Sequence, residues 1–135
     1  MKKELSTAID AIREAGRITL KLLGDKERSS QKTNGDIISQ ADISVNRLLE
    51  TRLKGAFPDY GWLSEENADS NERLTKQRVW IIDPIDGTRE FVEGIPEYVI
   101  CIALVDNGMP VVGVQFNPAR DQLFAAIRNG GTFLN

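Results

Sequence analysis

The segment VWIIDPIDGTREF, residues 79–91, decides the fold of this 135-residue chain. Its first four residues are apolar, which predicts a buried strand, and the Pro and Gly that follow predict a tight turn. The turn places Asp83 and Asp86 at the end of the strand, where carboxylates could hold a divalent cation. Gly87 would let the backbone approach a ligand closely. Asp-Pro and Asp-Gly also mark ordinary surface turns. The strand before these acids, and a second acidic pair at Glu65 and Glu66, favour a metal site.

The composition excludes several classes of catalysis. The chain has no histidine, so Ser-His-Asp and Cys-His catalysis and histidine-ligated zinc sites are excluded. The single cysteine, Cys101, lies in the apolar run YVICIALV, and we expect a buried, structural thiol there. A chain with one cysteine forms no internal disulfide, which is typical of a cytoplasmic protein.

Charge and hydropathy exclude two classes of partner. The net charge is -3, and the sequence has no basic block, so a nucleic acid polymer is not an expected partner. No run approaches the roughly 20 apolar residues of a membrane span, and the first residues lack the apolar region of a secretory signal. We therefore expect no membrane association.

The spacing of apolar residues predicts an α+β fold in a single domain, residues 1–135. Helical spacing over residues 5–23 and 41–57 predicts two amphipathic helices, the first ending near Gly24 and the second before Pro58. The polar segment 25–35 predicts an exposed, mobile loop. Strands are predicted at residues 61–63, 79–82, 98–105, 111–116 and 122–127, with a hairpin connection at residues 107–109. The two helices should pack on a mostly antiparallel sheet.

Several ordered motifs resemble the inositol monophosphatase superfamily of magnesium-dependent, lithium-sensitive phosphatases. KTNGDIISQAD, residues 32–42, resembles the family segment leading into the second helix. WLSEE, residues 62–66, resembles its acidic pair, and DPIDGT, residues 83–88, its metal-binding signature. The ending GGTFLN, residues 130–135, resembles the stretch that closes the family's first sheet. The resemblance implies the first half of the layered αβαβα sugar-phosphatase fold. Family members are about twice as long, so we expect an amino-terminal metal-binding half whose second half is absent.

The resemblance also implies a set of metal ligands. Glu65, Asp83 and the backbone carbonyl of Ile85 would hold one Mg²⁺, and Asp86 would hold a second, with Asp83 bridging the two. Magnesium takes hard oxygen ligands and keeps several waters, so a few carboxylates suffice. The family's second half supplies a further metal-binding aspartate, so we expect the isolated chain to hydrolyse phosphomonoesters poorly.

The catalytic and phosphate-binding roles follow from the same resemblance. Asp42 and Thr88 would orient and activate the attacking water, with Glu65 counted as a third catalytic residue. The amides of Gly87 and Thr88 would bind phosphate oxygens. Asp42 is also suited to the N-cap or the first turn of a helix. Glu66 could be a solvated carboxylate, and Lys32 could assist phosphate binding or be solvated.

The expected function is Mg²⁺-dependent hydrolysis of a small phosphorylated alcohol such as inositol 1-phosphate. DGTREF differs from the DGTTNF form of inositol-phosphate enzymes, so Arg89 and Glu90 leave open a 3'(2'),5'-bisphosphate nucleotidase or a histidinol-phosphatase. An aspartyl-phosphate mechanism is disfavoured because the acids of DPID lie three residues apart rather than two. A P-loop is absent from the sequence.

A non-enzymatic alternative remains, an inactive metal-binding or assembly fragment. In either case we expect a homodimer or pairing with the second half. Apolar faces and open sheet edges favour such pairing, and residues 111–116 and 122–127 are the expected places.

Overall fold

Two long helices lie on one face of a six-stranded sheet in the computed structural model, which describes residues 1–32 and 37–135. The elements are, in chain order, α1 (Lys2–Leu22), β1 (Ser29–Gln31), β2 (Ile37–Ser39), α2 (Gln40–Ala56), β3 (Gly61–Ser64), β4 (Arg78–Asp86), α3 (Thr88–Val92), β5 (Val99–Asp106), β6 (Met109–Asn117), β7 (Gln122–Ile127) and β8 (Gly131–Leu134). Short 3₁₀ turns occupy Lys26–Arg28 and Glu72–Thr75. The predicted α+β fold is confirmed.

Strands β3 to β8 follow one another in the sheet in chain order. The β3–β4 pair is parallel, and every later pair is antiparallel. Alternate residues of the strands point at the helices, as the period of two requires. Ile12 of α1, Leu49 of α2, and Trp80 and Ile102 of the sheet belong to this main core, and each is at most 2% exposed. A smaller cluster around Phe91 and Tyr98 lies beneath the turn that follows β4.

The turn between β5 and β6 confirms the predicted hairpin. Asp106 pairs with Met109, so the loop has two residues, one fewer than predicted, because Met109 already belongs to β6. Both of them, Asn107 at φ +48° and Gly108 at φ +79°, adopt the left-handed conformation. Asn-Gly is the dipeptide that accepts this geometry best.

The loop prediction for residues 25–35 is wrong in its described part. Lys26–Arg28 forms a 3₁₀ turn, and β1 pairs with β2 in antiparallel register. The side chains of β1 are largely exposed, so the strand leaves no alternation of apolar and polar residues. Antiparallel backbone pairing, rather than an apolar pattern, defines this ribbon. Residues 33–36 lie outside the described residues. Residues 33–35 end the predicted loop, and all four belong to the KTNGDIISQAD motif.

The outer strand β8 was not predicted either. All four of its residues are exposed, so it too lacks a buried face. Apolar side chains at this edge contact solvent: Phe124 is 45% exposed, Phe133 50% and Leu134 61%. In residues 111–116, by contrast, Val112 and Val114 are buried beneath the helices. Among the described residues, no helix combines the length and the apolarity needed to cross a membrane.

Candidate metal and phosphate site

The DPID segment interrupts the regular pairing of β4 with β5. Asp83 pairs with Cys101 and Asp86 pairs with Val99, so three steps along β4 match two steps along β5. Residues three apart in a regular strand point to opposite faces. The extra residue forms a bulge, which brings both carboxylates to the same face of the sheet.

Parallel pairing brings Glu65 to these acids. Ser64 of β3 pairs with Ile82 of β4, and the Glu65 amide donates to the Ile82 carbonyl at 3.4 Å. The carboxyl ends of the two parallel strands therefore lie at the same edge of the sheet. Glu65 thus follows β3 beside Asp83, although the two are 18 positions apart in the sequence.

Asp42 belongs to the start of α2 and also contacts the DPIDGT turn. The Ser39 amide donates to Asp42 Oδ2 at 2.8 Å, and the Asp42 amide donates to Ser39 Oγ at 3.2 Å, which forms a capping box. Thr88 Oγ1 lies 3.1 Å from Asp42 Oδ1 and 3.1 Å from the Ile85 carbonyl oxygen. Asp42 therefore serves as the first-turn acid of α2 and as a partner of the Thr88 hydroxyl.

A cavity of about 280 Å³ lies between these elements. Its lining includes the four predicted metal ligands and both predicted phosphate-binding residues, in all Lys32, Glu65, Glu66, Asp83, Ile85, Asp86, Gly87, Thr88, Arg89 and Glu90. Asp42 is 1% exposed and lies behind the cavity, which it reaches through Thr88. The described part of the chain has no group of three or more His, Cys, Asp or Glu side chains arranged to hold a metal ion. The acids share a cavity, but a cation would have to draw their side chains together.

Burial and mutual repulsion perturb the acids of this cavity. Burial, followed by the charges of Glu65 and Asp86, raises the pKa of Asp83 to about 7. Asp83 Oδ1 is buried and has no hydrogen-bond partner among the described residues. Burial is also the main cause that raises the pKa of Asp42, although its hydrogen bonds with Ser39 oppose the change.

Lys32 and Glu66 form an ion pair at the rim of the cavity, with 2.9 Å between Nζ and Oε1. Burial by itself would lower the pKa of Lys32. The hydrogen bond and charge of Glu66, with the charges of Asp42 and Glu65, outweigh burial and raise it. The sequence left open that Lys32 and Glu66 were simply solvated. The ion pair between them does not fit that alternative for either side chain.

Gly87 is required by the turn itself. Its φ of +92° is left-handed, and a Cβ there would lie 2.8 Å from the Glu97 carbonyl oxygen. The close approach predicted for this glycine is therefore made to the chain's own backbone. Cys101 is half-buried rather than buried. Burial and the nearby charge of Asp83 raise the pKa of its thiol to about 12, so it is inert.

The sequence model of the inositol monophosphatase family matches residues 1–135. This chain belongs to the inositol monophosphatase family. Two curated relatives are the Nus factor SuhB of Xylella fastidiosa, 38% identical over 137 residues, and the inositol-1-monophosphatase of Rhizobium meliloti, 39% identical over 133 residues. The alignments cover 99% and 97% of this chain but 48% and 50% of those proteins. The chain thus spans about half the length of the curated relatives it matches.

Solved structures show the same fold. The IMPase of Thermotoga maritima matches with a TM-score of 0.91 and 32% identity, over 100% of this chain and 52% of that one. An IMPase/NADP phosphatase described in complex with Mg²⁺ and phosphate is 24% identical, with a TM-score of 0.82 over 99% of this chain and 50% of that one. This second likeness shows the fold alone.

Several residues at this inositol monophosphatase family site escaped the sequence reasoning. Ser39 stands three residues before Asp42, and this spacing of a serine and an acid is itself a capping-box signal. Asn46, Ser64 and Asn67 form hydrogen bonds beside the Glu65 turn. The one signal for them is that Asn46 is a polar residue on the buried face of α2, beside Val45 and Leu49.

Proposed function

We propose that this chain provides the metal- and phosphate-binding part of an Mg²⁺-dependent phosphomonoesterase that hydrolyses a small phosphorylated alcohol such as inositol 1-phosphate. One observation carries the proposal: Asp83 combines an unpartnered buried oxygen with a raised pKa, between Glu65 and Asp86. A carboxylate that is buried among other acids is costly unless a cation compensates it.

The donor set fits magnesium. Glu65, Asp83, Asp86 and the Ile85 carbonyl would supply hard oxygens, and Mg²⁺ completes its shell with water. When bound, the cation supplies positive charge that makes a water more acidic and stabilises the developing charge on the leaving oxygen. The four donors lie at one cavity whose other wall carries the Gly87 and Thr88 turn.

Asp42 and Thr88 are arranged to accept a proton. The Thr88 hydroxyl would take a proton from the attacking water at Oγ1 while donating its own to Asp42 Oδ1, which lies 3.1 Å away. The raised pKa of Asp42 makes it a better proton acceptor than an ordinary aspartate. Ser39 holds the second Asp42 oxygen, which directs Oδ1 toward Thr88.

The choice of inositol 1-phosphate rests on the name of the Rhizobium meliloti relative. Arg89 and Glu90 line the cavity beside the phosphate turn, where they would meet the alcohol part of the substrate.

The test combines calorimetric titration with Mg²⁺ and a phosphate-release assay. The substrates are inositol 1-phosphate, 3'-phosphoadenosine 5'-phosphate and histidinol phosphate, and Asp83→Asn is the comparison variant. We expect the wild-type chain to bind Mg²⁺, the variant to lose that binding, and any phosphate release to be fastest from inositol 1-phosphate. Binding without release would identify a metal-binding fragment. Absence of binding by the wild-type chain would refute the proposal.

A further inference from the structure

A buried polar network joins α2 to the turn that follows β3. Asn46 is 6% exposed. Its Nδ2 donates to Asn67 Oδ1 at 2.8 Å, and its Oδ1 accepts from Ser64 Oγ at 2.6 Å. Trp62 Nε1 donates to the same Asn67 oxygen at 2.9 Å. The Asn46 amide thus donates to Asn67 after the turn and accepts from Ser64 before it.

This network reaches the backbone that carries the two glutamates. The Glu66 amide approaches Ser64 Oγ at 3.3 Å, and the Asn67 amide donates to the Ser64 carbonyl at 3.3 Å. The Ser64 hydroxyl accepts a hydrogen bond from the Glu66 amide and donates one to Asn46. A continuous chain of hydrogen bonds therefore runs from the interior of α2 to the peptide between Glu65 and Glu66.

The position of Asn46 on α2 relates this turn to the other side of the site. Asn46 stands four residues after Asp42, so the two side chains share one helix face and are offset by about 6 Å along the axis. Asp42 contacts Thr88, and Asn46 contacts the glutamate turn. One rigid helix thus sets the spacing between the two.

We propose that Asn46 is a positioning residue that fixes the Glu65–Glu66 turn at a set distance from Asp42 and Thr88. An amide is needed because it donates to Asn67 and accepts from Ser64 at once. A carboxylate at this place could only accept, and it would add negative charge beside Glu65 and Glu66. The consequence for metal binding rests on the proposed function, whereas the placement of the turn does not.

The first part of the test measures amide hydrogen exchange of the full chain in a chelator. We expect the amides of residues 65–67 to exchange at least tenfold faster in Asn46→Ala than in the wild type. The exchange rates of the β5 amides should keep the same ratios to one another in both proteins. Leu53→Ala is the matched control, because Leu53 is buried in the same helix but packs in the main core. It should accelerate exchange across the core without a specific effect on the turn.

The second part measures Mg²⁺ affinity by calorimetry. Loss of hydrogen bonds that orient metal ligands costs about 10- to 100-fold in affinity, and the Asn46 network orients the turn that carries Glu65. We therefore expect at least tenfold weaker binding by Asn46→Ala and less than twofold by Leu53→Ala. If Asn46→Ala does not fold, Asn67→Ala opens the same network and takes its place. The inference is overturned if residues 65–67 exchange no faster in Asn46→Ala than in the wild type. It is also overturned if Leu53→Ala accelerates these amides, relative to the rest of the chain, as much as Asn46→Ala does. A wild-type chain that binds no Mg²⁺ overturns the proposed function, and the exchange result then decides the inference by itself.

Discussion

Replacing Asp83 by Asn should stabilise the metal-free chain. The carboxylate has a pKa of about 7 against an ordinary value of 3.8, because of its burial and the charges of Glu65 and Asp86. At roughly 1.4 kcal/mol per pKa unit, ionised Asp83 costs the fold at most about 4.5 kcal/mol. Asparagine has nearly the same shape and no charge, so it removes this cost while leaving the bulge in place.

The sign of the effect follows from the direction of the pKa change. An acid whose pKa is higher in the folded state binds more protons there than in the unfolded state, so stability falls as pH rises from about 4 to about 7. Between pH 5 and pH 8, a pKa of about 7 for Asp83 predicts a loss of about 2.5 kcal/mol for the wild type. That loss should be absent from the variant.

Urea denaturation in a chelator, at pH 5 and at pH 8, measures both quantities. At pH 8 we expect the variant to have a higher unfolding free energy than the wild type. This margin should be about 2.5 kcal/mol larger than the margin at pH 5. Added Mg²⁺ should stabilise the wild type, since a ligand that binds the folded state alone shifts the equilibrium, and it should leave the variant unchanged. A variant less stable than the wild type at pH 8, or a margin that does not depend on pH, would refute the reasoning.

Three further substitutions test other parts of the site. Ser39→Ala removes the cap of α2 and should lower the unfolding free energy by about 1 kcal/mol in urea denaturation; an unchanged midpoint would contradict the capping role. Gly87→Ala should be more destabilising than Gly108→Ala, because both glycines have positive φ but a Cβ at Gly108 meets nothing within 4 Å; equal losses would show that the Glu97 contact does not matter. Thr88→Ala should reduce any Mg²⁺-dependent phosphate release at least about 100-fold if its hydroxyl passes the proton to Asp42; a smaller loss in the release assay would exclude that path.

The sequence predicted those elements whose side chains have one buried face. Apolar residues recur with a regular spacing in α1, α2, β5 and β6 because one face of each contacts the core. The dipeptide Asn107-Gly108 indicates the hairpin. Strands β1 and β8 are paired through their backbones, and most of their side chains are exposed. Their sequences therefore show no alternation of apolar and polar residues from which a strand could be predicted.

The site was predictable in its residue types but not in its arrangement. DPID indicated acids at a strand end, but it did not reveal the bulge that brings Asp83 and Asp86 to one face, because that depends on pairing with β5. Parallel pairing of β3 with β4, which brings Glu65 to Asp83, is likewise a property of the sheet. Asn46 acts through contacts more than 15 residues away in sequence, and local pattern does not encode such contacts.

The most direct test of the metal site is anomalous diffraction from crystals of this chain grown with Mn²⁺ in place of Mg²⁺. The account predicts an anomalous peak in the cavity after β3 and β4, bonded to Asp83 and to at least one of Glu65 and Asp86. It also predicts that the Glu65, Asp83 and Asp86 side chains close around that peak. A peak elsewhere with none in this cavity, at a concentration of Mn²⁺ that saturates binding in solution, would contradict it.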